Sequence, residues 1–170
     1  MKWSLRGDVA ETDDGSMSSV NLRTRSCIFS YAKVICDIVV KEKPKTILIL
    51  GLSLGCMVAE LERTGAKITG VDIDPESVKF VKAMVPSAHI YVGDASKVRI
   101  GKFDVIISDI FSSVRGPHFP VDPEYVTSLM KHCRVYIQNV IYGKREMRKL
   151  KWDEEIKAEG NSIFVSRSHS

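Results

Sequence analysis

Residues 46–72 read TILILGLSLGCMVAELERTGAKITGVD, and this stretch decides the fold. Thr46–Leu50 is an apolar run of strand length without a turn residue, the pattern of a strand buried on both faces. Gly51-Leu52-Ser53-Leu54-Gly55 follows as a tight small-residue turn. Residues 56–63 carry Met57, Val58 and Leu61 at helical spacing, with Gly65 placed to stop the helix. Residues 67–71 form a second strand with Asp72 at its carboxyl end, 21 residues beyond Gly51. A β-α-β unit with glycines in its first turn and an acid ending its second strand suits a ligand that carries a ribose. The small turn lets backbone approach the ligand, helix-start amides are expected to point at it, and the acid accepts from two hydroxyls.

A dinucleotide loop of the form G-x-G-x-x-G needs glycine at 51, 53 and 56, and Ser53 and Cys56 depart from it. A G-x-G-x-G loop departs only at Ser53. On these residues the chain resembles the class I S-adenosylmethionine (SAM) dependent methyltransferases, and within them the spermidine-synthase-like branch. ILILGLSLG resembles that branch's first motif, GVDIDPESV its second, YVGDA its third and FDVIISDIFSS its fourth, so the likeness runs from about residue 46 to 165. The resemblance implies a Rossmann-like, doubly wound α/β fold: a seven-stranded, mostly parallel sheet ending in a C-terminal antiparallel hairpin. It also implies a cofactor, SAM or decarboxylated SAM, held by Gly51, Leu52, Ser53, Gly55, Asp72, Ile73, Asp94, Ala95 and Asp109. In that scheme Asp72 takes the ribose, the Asp94 carboxylate and Ala95 amide read the adenine edge, and Asp109 is the catalytic acid.

The chain departs from spermidine synthases at three places. Asp14-Gly15 is followed by Ser18-Ser19 without the branch's Gln, the fourth motif runs Asp109-Ile110-Phe111-Ser112 without a second acid, and there is no room for a β-rich N-terminal domain. Methyl transfer to a small molecule is therefore favoured over aminopropyl transfer, and a non-catalytic SAM-binding module stands as a further alternative. Another reading uses the same loop. Gly51–Gly55 is literally G-x-S-x-G, and Ser53, Asp109 and His118 follow the order of a hydrolase triad. That esterase reading lacks an HGGG-like segment and leaves Asp72 and Asp94 without a task.

With 170 residues and 44% hydrophobic content, the chain can bury one core. We divide it into an N-terminal arm, residues 1–22, and a single SAM-binding domain, residues 23–170. The net charge of +4 permits an anionic partner without implying one, so nucleic acid is not expected. The apolar runs are too short to span a membrane, and MKWSLRGDVAETDD lacks a secretory core, so a cytoplasmic protein is expected. Cys27, Cys36, Cys56 and Cys133 show no C-x-x-C spacing; reduced, buried cysteines and no metal are the expectation. Homo-oligomerisation is left open.

The remaining pattern fills in the fold. Residues 1–20 are polar and read as a loose arm with at most one short hairpin. Residues 23–40 read as a helix whose apolar face includes Tyr31 and Ile35, and Pro44 ends it. Asp74-Pro75-Glu76 starts the next helix with Asp74 as N-cap, which is why the ribose goes to Asp72 instead. Asp104 begins its strand, on the rim away from the ligand, and is read as structural. Residues 113–123 form a Pro/Gly-containing loop with His118, a candidate lid and base. Residues 144–151 are basic and read as a solvated helix face, with an RNA-facing patch as the alternative. Residues 154–158 and 162–166 flank Gly160-Asn161 as a terminal hairpin.

Overall fold

The structure is a computed structural model and describes residues 2–13, 18–110, 122–141 and 144–168, with the side chain of Lys144 left out. Four short strands come first: β1 (Trp3–Arg6), β2 (Val9–Thr12), β3 (Ser19–Asn21) and β4 (Ser26–Cys27). They are followed by α1 (Ser30–Glu42), β5 (Thr46–Leu50), α2 (Cys56–Leu61) with a 3₁₀ turn at Glu62–Thr64, β6 (Lys67–Asp72), α3 (Pro75–Met84), β7 (His89–Val92) and β8 (Phe103–Ser108). The chain closes with α4 (Pro123–Met130), β9 (Cys133–Val140), α5 (Lys144–Met147), β10 (Glu154–Ala158) and β11 (Asn161–Arg167).

Strands β5 to β11 form one seven-stranded sheet in the order β10-β11-β9-β8-β5-β6-β7. The five strands from β9 to β7 are parallel, and β11 runs antiparallel to both β9 and β10. The strand order reverses at β5, so the first strand of the sheet in sequence lies at the centre of the five parallel strands, with β6 and β8 on its two sides. The expected doubly wound architecture is therefore present, C-terminal hairpin included.

The alternation of β5 explains the two layers. Ile47 and Ile49 face a core built with Ile35 and Val39 of α1, Val58 and Leu61 of α2, and Val78 and Val81 of α3. Leu48 and Leu50 face the opposite core, with Val126 and Leu129 of α4 and Met147 of α5. Each strand side chain points to the face opposite its neighbour's, so an unbroken apolar run needs helices on both sides.

Several expectations need correcting. The polar N-terminus is no loose arm: β1 to β4 make a four-stranded antiparallel sheet reaching Cys27, past the boundary placed at residue 22. Ala10 and Val20 are completely buried against the main core, which anchors this sheet. The first helix begins at Ser30 because residues 23–27 are taken up by the turn and strand of that small sheet. The terminal turn is Glu159-Gly160, with φ of 48° and 79°, and Asn161 already pairs with Ala158. Glu159 tolerates the left-handed backbone while its carboxylate accepts from Ser30 N at 2.7 Å, where the first turn of α1 has an unsatisfied donor. Asp104 behaves as expected, its Oδ2 accepting from Lys45 N and Thr46 N at 2.6 and 3.1 Å.

Candidate cofactor site at the strand tips

Asp72 ends β6, and Gly51, Asp94 and Asp109 lie just beyond the carboxyl ends of β5, β7 and β8, so the four sit on adjacent strands of one sheet. Adjacent strands lie ~4.8 Å apart, so Asp72 and Asp109, two strands apart across β5, stand roughly 10 Å from each other along the rim. This is the switch point, where open α/β sheets bind ligands.

The loop after β5 is built for closeness. Gly51 has φ of 84°, and a Cβ there would overlap the carbonyl oxygen of Asp109. Glycine is required on both counts. Ser53 occupies a left-handed conformation, φ 47°, at the position where a G-x-G-x-G loop has glycine. The departure at Ser53 thus keeps the backbone shape of the motif. Its carbonyl accepts from Ser77 Oγ at 2.5 Å, tying the loop to α3. Leu52 turns inward and is 6% exposed, fitting over Gly70, where a Cβ would come within 2.9 Å of it.

The amides of the turn itself are engaged inside the protein. Leu52 N and Ser53 N both donate to Asp72 Oδ2, at 2.7 and 3.0 Å. Gly51 N donates to Val71 O, Gly55 N to Leu52 O and Leu54 N to Ser18 Oγ. Asp72 Oδ1 accepts from Asp74 N at 2.9 Å. A carboxylate offers about four acceptor positions, so three are used inside the protein and one remains for a ribose hydroxyl. The two-hydroxyl grip expected of Asp72 requires the loop amides to let go of Oδ2. Asp74 caps α3 as read, accepting from Glu76 N at 2.9 Å.

Next to Asp72, the Ile73 side chain is 60% exposed, an apolar surface at the rim that a flat base can cover. Beyond it, Asp94 Oδ1 accepts from Ser96 N and Ser96 Oγ at 3.0 and 2.6 Å, which fixes the turn after β7. The Ala95 carbonyl accepts from Tyr125 Oη at 3.3 Å, so α4 holds this turn from the other layer. Burial, and then the Asp94 charge, push the Tyr125 hydroxyl up to about 12.

Asp109 lies at the inner end of the row. Burial pushes its carboxyl up to about 6, and a hydrogen bond from Asn139 works against the rise. Asn139 Nδ2 donates to Asp109 Oδ1 at 2.7 Å from β9, the next strand. Sequence reading missed Asn139. The available signal was the polar pair Gln138-Asn139 in the otherwise apolar end of β9, both nearly fully buried. Tyr31 is buried on α1, and its ionisation is opposed first by burial and then by the Asp109 charge. Of the candidate lid, residues 113–123, the part at 113–121, His118 included, lies outside the described residues. In the basic stretch, residues 144–151, Arg148 is committed to Glu155 through two hydrogen bonds of 3.1 and 2.7 Å.

Strand order, reversed hairpin and glycine-turn rim together define the Rossmann-like fold of the methyltransferases. A family model described as a methyltransferase domain matches residues 48–114, from β5 to just beyond β8. Among solved structures, the chain is similar to a Thermoplasma acidophilum protein at 17% identity and TM-score 0.64, over 83% of this chain and 86% of that one. It is similar to an RNA methyltransferase from Salinibacter ruber in complex with S-adenosyl-L-homocysteine, at 18% identity and TM-score 0.60, over 79% and 90% of the two chains. It is also similar to magnesium protoporphyrin IX methyltransferase from Synechocystis with bound SAM, at 16% identity and TM-score 0.63, over 81% and 80%. No curated protein sequence matches the chain. The esterase reading of Ser53 finds no support in these comparisons.

Proposed function

We propose that the chain is a SAM-dependent methyltransferase acting on a small molecule, with sequence motifs like those of the spermidine-synthase-like branch. The observation that carries this reading is the row of strand ends: glycine turn, Asp72 with Ile73, Asp94 with Ala95, and Asp109 along one rim. SAM is the cofactor of this reading, and the methyltransferase neighbours bound to SAM or S-adenosyl-L-homocysteine support it. Its adenine lies on Ile73 with its edge at Asp94 and Ala95, and its ribose at Asp72. The glycine turn contributes shape more than donors, since its amides are satisfied within the protein.

When bound, SAM supplies an electrophilic methyl group on a sulfonium. The protein's work is alignment and exclusion of water, worth up to ~7–11 kcal/mol for well-oriented reactants. Asp109, held by Asn139, is the acceptor-side group. An alkyl ammonium of pKa ~10.4 facing a carboxyl near 6 leaves a gap of ~4.4 units, or about 6 kcal/mol. Asp109 therefore orients an acceptor that arrives neutral, or takes a proton from one far more acidic than an alkyl ammonium.

Ion pairing favours a small molecule over RNA. Arg134 and Arg167 pair with Glu42, Arg25 with Glu62, Arg63 with Glu60, and Arg148 with Glu155. Arginines neutralised within the protein release few counterions from a nucleic acid.

Calorimetry with SAM, decarboxylated SAM and methylthioadenosine, on the wild type and on Asp72→Ala and Asp94→Asn, tests the reading. SAM binds, and Asp72→Ala weakens it about 10-fold or more, the loss of one charge-assisted bond at ~1.5–3 kcal/mol. Tighter binding of decarboxylated SAM turns the assignment to aminopropyl transfer. Absence of SAM binding ends it.

A further inference from the structure

Beneath the glycine turn, three cysteines from three elements meet a buried acid. Cys27 ends β4, Cys36 lies in α1 and Cys56 opens α2, and Glu60 follows Cys56 by one helical turn. Cys27 and Cys36 are 1% and 0% exposed, Cys56 8% and Glu60 7%. The Cys27 and Cys36 sulfurs stand 3.9 Å apart, and these two sulfurs and a Glu60 carboxylate oxygen all lie within 4.8 Å of one another. Cys56 interacts with Cys27 as well, its thiol raised by that contact and by burial. Among the described residues, Glu60 Oε1 pairs with the largely exposed Arg63 at 3.2 Å, and Glu60 Oε2 accepts from Cys27 N at 2.7 Å.

We propose that Cys27, Cys36 and Glu60 form a binding site for a thiophilic d¹⁰ divalent cation, Zn²⁺ by chemistry, with Cys56 donating its thiol hydrogen toward the Cys27 sulfur. In a tetrahedral zinc–thiolate site with Zn–S of ~2.3 Å, two sulfurs lie ~3.8 Å apart. The observed 3.9 Å already matches that edge. Binding forms two metal–sulfur bonds and one metal–oxygen bond. The Cys27 and Cys36 thiol protons pass to solvent, and no electrons are transferred. Two thiolates and a carboxylate around a dication leave one negative charge, which the Arg63 guanidinium at Glu60 offsets. Soft sulfur ligands exclude Mg²⁺ and Ca²⁺, which take oxygen. The sequence hides such a site because its ligands come from separate elements and show no C-x-x-C spacing. Its consequence is local: the metal clamps β4, α1 and α2 together directly behind Gly55, the last residue of the turn.

The test uses the reduced full-length chain, free of metal, titrated anaerobically with Co²⁺, both folded and after refolding with Co²⁺ present. A sulfur-to-cobalt charge-transfer band saturates at one equivalent, two protons are released per metal, and Zn²⁺ abolishes the band. Cys36→Ala and Cys27→Ala lose the band with unchanged far-ultraviolet circular dichroism, whereas Cys133→Ala on β9 retains it. Should Cys36→Ala fail to fold, Glu60→Gln serves, weakening Co²⁺ at least 10-fold. No band in either preparation, a band that survives Cys36→Ala or follows Cys133, or a Cys27–Cys36 disulfide in the purified protein overturns the proposal.

Discussion

Asp109 is a part-buried carboxyl group whose Oδ1 accepts from Asn139. Its folded value of about 6 stands above the ordinary 3.8 because burial disfavours the charge. Between those pH values the folded chain keeps a proton that the unfolded chain has lost. The stability contributed by this group is therefore full below about pH 4 and falls as pH rises to about 6. Asp109→Asn keeps an acceptor for Asn139 without the charge. Denaturant titrations should find it more stable than wild type at pH 7.5, by up to about 3 kcal/mol, with the difference gone near pH 4. Its methyl-transfer rate should fall ~100-fold or more, while the wild-type rate rises through an apparent pKa near 6. Gly51 makes the opposite case, a residue defined by what it lacks. Gly51→Ala drives a methyl group into the Asp109 carbonyl from a left-handed backbone. A loss of more than about 3 kcal/mol is expected in equilibrium unfolding, together with loss of SAM binding.

At the scale of elements, α1 is held at both ends by residues distant in sequence. Glu159, from the last hairpin, satisfies Ser30 N at its start. At its finish, Glu42 accepts from Arg167 Nε at 2.8 Å and Arg134 Nη1 at 3.0 Å, joining α1 to β11 and β9. Burial alone raises the Glu42 carboxyl, and the two arginines outweigh it and hold it below its ordinary value. A carboxyl lowered in the folded state contributes stability above its unfolded value and loses it as pH falls through the folded one. Glu42→Gln should cost about 1–3 kcal/mol at pH 7 and progressively less below pH 4.5 in thermal or urea melts. The turn after β5 depends equally on remote elements. Its amides close on Asp72 of β6 and Ser18 before β3, and its carbonyl on Ser77 of α3. A ligand that takes both ribose bonds at Asp72 must loosen that closure, so hydrogen exchange at Leu52 and Ser53 should respond to SAM.

For the whole molecule, the proposed cofactor rim and the thiol cluster meet at the start of α2, with Gly55 before it and Cys56 its first residue. Ligands at the rim stabilise the fold by mass action. S-adenosyl-L-homocysteine at 100 times its Kd adds about 2.7 kcal/mol, which for a chain of 170 residues raises Tm by roughly 5–10 °C in a thermal scan. An unchanged Tm at saturating concentration contradicts the cofactor assignment. Among the described residues, no helix is long and apolar enough to cross a membrane.

What the sequence determined by itself is the β-α-β unit at 46–72, the strands after it, and the acids at their tips, because period, punctuation and motif are local properties. An apolar run such as TILIL suits a strand covered on both faces, and Asp74-Pro75-Glu76 suits a helix start, and both are placed so. Tertiary structure alone decided where the polar N-terminus goes, since β1 to β4 are too short and polar to show a period and are fixed by Ala10 and Val20 meeting the core. It alone decided that the loop amides turn inward to Asp72, that Asn139 holds Asp109, and that Cys27, Cys36 and Glu60 meet. Each of these is a contact between side chains or amides from different elements, and no local pattern encodes such a meeting until the strands are placed in order.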